Sequence, residues 1–353
     1  MRLLSKLSLL FLIIFSVSAY AKVELFVWRP TEGHVALILA KSESESADEA
    51  AKAYKNSFNK NRDLTELNEG KLNIKLDGFE SLPKESSKPR ILVLANDPFQ
   101  FSGSANSKTW HRSLVKYGAD VYVLPTNADI AMSPRKSTSF RNELVRNFDA
   151  ILALGGRDID PELYGSTNRH SKDVVPFVDQ SEAKFIKAFL DSHKNSKLAA
   201  ACFGICRGMQ HTALILGYDL YQDIKGETGN LHNHRYDDHK IKIVGTKNSL
   251  FVKEFGQGEL ITTNSVHHQA VNYNSNPKGP LSLVAYQQSA DDSDLIAEVM
   301  EFKSGLGFLV QFHPERMNNS VGRNVMRMMV DVASKVKKNR TKLAKTCRSR
   351  LSE

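Results

Sequence analysis

From residue 90 onward, short apolar runs alternate with longer stretches whose apolar residues recur every three or four positions. RILVLAND (90–97), ADVYVLP (119–125), DAILALGG (149–156) and KLAAACFG (197–204) read as strands. Between them, SKTWHRSLVKYG (107–118), SFRNELVRNF (139–148) and QSEAKFIKAFLDSH (180–193) read as helices, the first closed by Gly118. Strands alternating with helices in this way predict βαβ units and a parallel sheet covered on both faces. The later part is richer in strand patterns: HKIKIV, ELITTN, SLVAYQ, LIAEVMEF and GFLVQFHPE. VGRNVMRMMVDVASKVKK (321–338) then reads as a closing helix. The pattern therefore predicts an α/β fold with a doubly wound, mostly parallel sheet over residues 90–335.

Upstream, residues 22–80 predict a small α+β segment. VELFVWRP and HVALILA are two short strands, SESADEAAKAYKNSF a helix and KLNIKL a third strand. SLPKESSKPR reads as a linker over 81–89, leading into the first strand of the main domain. His34, in EGHVALIL, reads as a polar residue where a strand begins rather than as a catalytic base. The role of this segment is not legible.

Composition changes the picture at the two ends. Arg2 and Lys6, an apolar run from Leu7 to Val17 and the small-x-small triplet Ala19-Tyr20-Ala21 have the build of a secretory signal peptide over 1–21. The apolar run is short for a membrane span, and no later stretch reaches that length. A mature protein starting near Lys22, exported to the periplasm or outside the cell, is expected. Removing that segment lowers the formal net charge of +9 by two. Much of the remaining excess lies in 336–353, where Lys337, Lys338, Arg340, Lys342, Lys345, Arg348 and Arg350 face Glu353 alone. Such a block reads as a solvated helical tail, with contact to an anionic surface as a further option. No aromatic residue is interleaved there and no nucleic-acid motif occurs elsewhere, so no nucleic-acid partner is expected.

The three cysteines, Cys202, Cys206 and Cys347, are too few for a disulfide scaffold. Cysteines four apart across a strand-to-helix corner are awkward to bridge. Cys-x3-Cys without a second pair is also a weak zinc signal, so neither a metal nor another cofactor is expected. GICRG (204–208) lies between a strand pattern and the helix pattern GMQHTALILG. That is a nucleophile-elbow arrangement, in which a sharp turn lifts one side chain above the sheet and the following helix N-terminus favours a thiolate. By itself the motif fits a nucleophile and a buried cysteine in a glycine corner equally well. VQFHPE places His313 and Glu315 at the end of an apolar strand, where a doubly wound sheet carries its functional groups. Gly155 and Gly156 follow another strand and leave backbone N–H groups open to approach.

Taken together, GGRDIDPELYG, GICRGMQ, TNSVHHQAV and FHPE, in that order and spacing, resemble the class I glutamine amidotransferase-like hydrolases. The resemblance is to the γ-glutamyl-γ-aminobutyrate hydrolase and γ-glutamyl hydrolase branch, over roughly residues 88–335. It implies a flavodoxin-like sheet, Cys206 as nucleophile, His313 as base and then acid, and Glu315 orienting the histidine. It further implies an oxyanion hole from the N–H groups of Gly156 and Arg207. Gln210, Asn264, Ser265, His267, His268 and Gln269 would line the pocket for a small γ-glutamyl substrate. Two departures stand out. Tyr218 occupies a position commonly held by glycine, and DDSDLIAEVMEF lacks the glycine of the family pattern.

Amidotransferases hand ammonia to a synthetase partner, and an exported chain has no such partner or nucleotide pool. Export therefore favours a stand-alone hydrolase of γ-glutamyl amides. The alternatives are action on peptidoglycan γ-glutamyl bonds, a general cysteine peptidase, or a binding protein that has kept the fold.

Overall fold

A computed structural model describes residues 23–28, 36–42, 44–64, 79–96, 109–126, 134–229, 234, 237–287 and 295–351. The expected signal peptide, His34, the strand expected over 71–76 and residues 291–294 of the departing motif lie outside the described residues.

The elements run in chain order. β1 (Val23–Trp28), β2 (Leu37–Ser42), α1 (Ala47–Leu64) and β3 (Phe79–Ser81) precede β4 (Arg90–Ala95). Next come α2 (Thr109–Lys116), β5 (Asp120–Pro125), α3 (Pro134–Asn147), β6 (Ala150–Ala153), α4 (Pro176–Ser192) and β7 (Ala201–Ile205). α5 (Arg207–Ile215), β8 (Asp219–Tyr221), α6 (Ile224–Thr228), β9 (His239–Ile243), α7 (Leu250–Phe255), β10 (Leu260–Thr263) and β11 (Ala270–Asn272) follow. β12 (Leu281–Gln287), β13 (Ala297–Phe302), β14 (Gly307–Val310) and α8 (Ser320–Leu351) complete the order.

Twelve strands form one sheet in the order β10-β9-β12-β13-β14-β7-β6-β4-β5-β2-β1-β3. The six central strands, β14 to β2, pair in parallel, and antiparallel strands extend both ends. Period-two alternation sends the two faces of β4 into separate cores. Ile91 and Val93 pack with residues of α1, α2 and α8. Leu92 and Leu94 pack with residues of α3, α4 and α5. The sheet is thus mostly parallel through its centre and wound on both faces.

The segments before β4 differ from the sequence reading. β1, β2 and β3 are continuous with the main sheet, because β2 pairs in parallel with β5 at Leu37↔Val123. The stretch read as a linker is tied to the domain: Ser86 Oγ donates to Asp120 at 2.5 Å, and the Arg90 guanidinium donates to the Pro83 carbonyl. The C-terminal helix runs unbroken from Ser320 through the basic stretch to Leu351. Val336 within it is buried and Arg340 is docked, while most of 338–346 is exposed, in keeping with the expected solvated helical tail. The Arg340 guanidinium donates to the carbonyls of Phe148 (2.6 Å), Val145 (2.9 Å) and Arg146 (2.8 Å), at the C-terminal end of α3. A cation there satisfies the last carbonyls of that helix and complements its dipole.

Tyr218 leaves the helix exit intact. α5 ends at Ile215, Gly217 takes a positive φ of 86°, and Tyr218 turns inward. Its hydroxyl donates to the Leu281 carbonyl (3.3 Å) and accepts from the Leu281 N–H (3.2 Å).

Candidate active site

β7 and β14 are parallel neighbours in register, with Ile205 beside Val310. Cys206 follows one directly and His313 follows the other by three residues. Both therefore emerge at the carboxyl edge of the sheet, where a doubly wound fold collects its functional groups.

Cys206 has φ 51° and ψ −112°, one of two non-glycine residues with positive φ among those described. Such a conformation costs about 1–3 kcal/mol and persists only where the surroundings enforce it. The enforcement is visible: the Cys206 N–H donates to the Val310 carbonyl at 2.8 Å, and α5 begins at the next residue. A Cβ on Gly204 would lie 2.6 Å from the Gly208 carbonyl carbon, and one on Gly208 would run into the Ala153 carbonyl. The turn is closed to larger residues at both positions.

Cys206 and His313 are both buried and border the same small space beside Gly155. His313 Nδ1 lies 2.8 Å from Glu315 Oε1. Burial alone would lower the His313 pKa, but the charges of Glu315 and Cys206 outweigh it and push it up to about 10. Burial likewise opposes ionisation of Glu315, yet the neighbouring His313, helped by Arg316, holds its pKa below the usual value. A buried histidine that stays protonated beside the cysteine is what proton donation to a leaving group requires. Cys202, by contrast, faces an apolar core, where burial drives its thiol pKa far up and keeps it inert.

Gly155 and Gly156 form the opposite wall. A Cβ on Gly155 would approach His313 Cε1 to 2.7 Å and Cys206 Cβ to 3.5 Å. Asn96, at the end of β4, donates to the Gly155 carbonyl at 3.2 Å and fills the space where a Gly156 side chain would go. The first N–H groups of α5, starting with that of Arg207, have no acceptor within the helix. The Arg207 side chain turns away from the site and is buried. Its guanidinium donates to Asp179 and Glu182 of α4, and His211 Nδ1 lies 2.9 Å from Glu182. Only its backbone faces the reactive edge.

The residues expected to line the pocket divide into several groups. Asn264 grips the backbone of His313 from both sides, accepting from its N–H at 2.8 Å and donating to its carbonyl at 3.0 Å. Gln210 is buried and donates to the Gln269 carbonyl (3.0 Å) and to Gln311 (3.1 Å), tying α5 to the 264–269 loop. Ser265 donates to the His234 carbonyl at 2.5 Å, and His267 is buried beside Glu298. His268 sits between Asp158 (2.8 Å) and Asp223 (3.3 Å), and Gln269 donates to Ser171 at 2.8 Å. Sequence reasoning missed Asn96, Asp158, Asp223 and the Asp179–Glu182–Arg207 cluster. The one available signal was a polar residue closing the apolar run of β4.

The peptidase C26 family matches residues 105–315. The glutamine amidotransferase-like protein YvdE of Lactococcus lactis subsp. lactis is 29% identical over 183 residues, covering 50% of this chain and 71% of that protein. A protein of Schizosaccharomyces pombe named as a glutamine amidotransferase is 28% identical over 183 residues, covering 50% of this chain and 65% of its own length. A similar solved structure is the glutaminase domain of Trypanosoma brucei CTPS with bound acivicin. It is 16% identical with a TM-score of 0.49, over 70% of this chain and 93% of that one. On a match that spans more than half of its length and takes in Cys206, His313 and Glu315, the chain belongs to the peptidase C26 family.

Proposed function

We infer that the protein is a stand-alone cysteine hydrolase that cleaves the γ-glutamyl amide bond of a small compound through a thioester. The observation that carries this reading is Cys206 on a strained elbow, beside a buried histidine that Glu315 orients, against a wall closed by Gly155. The Cys206 thiolate bonds to the γ-carbonyl carbon, and the displaced electron pair moves to the carbonyl oxygen. The N–H groups of Gly156 and Arg207 receive that oxyanion; losing one such donor costs about 10²–10³-fold in rate. Collapse breaks the carbon–nitrogen bond as His313 passes its proton to the departing amine. His313 then takes a proton from water, the hydroxide adds to the thioester, and the thiolate leaves. The N-terminal signal pattern supports export, which fractionation of cells carrying a C-terminally tagged chain would test: tag confined to the cytoplasm ends that part of the reading.

Amine release from a panel of γ-glutamyl amides, measured beside Cys206→Ala, tests the reaction. Release that disappears in the variant is expected. No release by reduced wild-type protein, with muropeptide cleavage in its place, would transfer the assignment to cell-wall γ-glutamyl bonds.

A further inference from the structure

At the edge of the loop that grips His313, four residues distant in sequence converge without taking part in the reaction above. His239 opens β9 and Glu298 lies in β13, with β12 between those strands in the sheet. His234 and His267 come from loops, joined where the His267 N–H donates to the His234 carbonyl at 2.9 Å. All four side chains are buried, that of Glu298 completely. Three imidazole nitrogens surround Glu298 Oε1: His239 Nε2 at 3.1 Å, His267 Nε2 at 3.6 Å and His234 Nδ1 at 3.9 Å. Ligating atoms of His234, His239 and Glu298 all fall within 4.8 Å of one another.

We propose that His234, His239, His267 and Glu298 form a zinc site. Bonds of 2.0–2.2 Å in a tetrahedron place neighbouring ligand atoms about 3.3 Å apart. His239 Nε2 and Glu298 Oε1 already stand 3.1 Å apart, and His234 lies within 4.8 Å of both. Small side-chain shifts would bring in His267 as the fourth ligand. The donor set, three imidazoles and a carboxylate, suits zinc rather than a hard cation. His267 Nδ1 faces the Gln269 carbonyl at 3.0 Å, so it carries the proton and turns Nε2 inward. A carbonyl that fixes the ring in this manner is the usual outer partner of a metal-bound histidine. Neither that Nε2 nor either Glu298 oxygen makes a directed hydrogen bond among the described residues. A fully buried carboxylate needs positive charge beside it; His239 and His267 stand where they can supply it, and a cation between the carboxylate and the rings would supply it in their place.

Four protein ligands leave no open position, so the ion is structural. Its place suggests what it holds. Ser265 and His267 are both fastened to the His234 carbonyl, and the adjacent Asn264 clamps His313. The ion would fix the loop from which the histidine is aimed. Cysteine spacing could not reveal such a site, because its ligands are histidines and a glutamate gathered by the sheet.

Metal analysis of the full-length wild-type protein should find about one zinc ion per chain. After chelation, Co²⁺ should restore a visible absorption band of the tetrahedral type, and Zn²⁺ should raise the melting temperature. Glu298→Gln and His239→Gln should each weaken zinc binding by more than about 100-fold. Should both variants fail to fold, the stripped wild-type protein still decides through Co²⁺ uptake and melting. Wild-type protein that carries no zinc, takes up no Co²⁺ and melts identically with and without Zn²⁺ overturns the proposal. Zinc binding that survives in both variants overturns it equally.

Discussion

Cys206 and Arg207 are neighbours in the chain, yet they open onto two different kinds of buried electrostatics. In front of the elbow, Cys206, His313 and Glu315 stand in a line with His313 in the middle, its Nδ1 on Glu315 and its ring beside the cysteine. Behind it, the Arg207 guanidinium meets two carboxylates, and one of those also meets His211. Charge in front stays available because it is thinly paired. Charge behind is spent on holding α4 against the start of α5. A reactive thiol on a strained turn needs both, since the strain at φ 51° lasts only if the helix after it cannot shift.

The sharpest way to separate the two regions is to alter one residue of each. Cys206→Gly should reduce hydrolysis by about 10⁴-fold or more, because the nucleophile acts as a unit with its base. It should leave urea stability unchanged or higher, since glycine accepts the positive φ. Equal losses of activity and stability would erase the distinction. Arg207→Met should do the reverse first: about 3–5 kcal/mol of stability lost, as two buried carboxylates are stranded. Chemical denaturation measures it, and an unaltered midpoint would show that the rear cluster holds nothing.

Acidity separates the regions without mutation. Burial would raise the Glu182 pKa, but Arg207 and His211 bring it down to about 2, from 4.5. Its stabilisation is therefore present above pH 4.5 and is lost as the pH falls toward 2. His313 is raised from 6.5 to about 10, so its contribution is full below pH 6.5 and lost as the pH climbs through 10. Melting temperature against pH should fall at both ends. Arg207→Met should flatten the acid limb alone, and His313→Gln the alkaline limb alone.

A smaller effect sharpens the comparison further. Asn264→Ala removes two hydrogen bonds to the His313 backbone and should lower kcat by about 10- to 100-fold with KM little changed, as expected when a catalytic group is misaimed. A change confined to KM would make Asn264 a substrate contact. The least effect on chemistry belongs to Arg340→Ala. It should cost about 1–2 kcal/mol through three lost carbonyl contacts and leave kcat alone. Thermal unfolding of the variant checks it.

What the sequence disclosed followed from periodicity. The strands from β4 to β7, the elbow and the histidine after β14 each carry a local signature, and the sheet places Cys206, His313 and Glu315 together as their strand-end positions suggest. What it hid depends on distance. The junction of β2 with β5 rests on one register pair, Leu37 with Val123, and the intervening pattern says nothing of it. Arg340 looks like every other cation in its helix until the end of α3 is set beside it. Asn264 reads as a pocket residue because it lies in a polar motif; its actual partners, the N–H and carbonyl of His313, lie 49 positions away.

The glycines around the elbow bear on how this chain can diverge. Positions 155, 204 and 208 have no room for even one methyl group, with obstacles belonging to His313, to Gly208 and to Ala153. Substitution there would close the site or unseat the helix, so natural drift and directed evolution alike are blocked along that wall. On the proposed hydrolase reading, a change of substrate preference has more room around His268, which stands partly exposed between Asp158 and Asp223. A saturation library should show this as two neighbouring strips, one that tolerates nothing and one that trades one substrate for another.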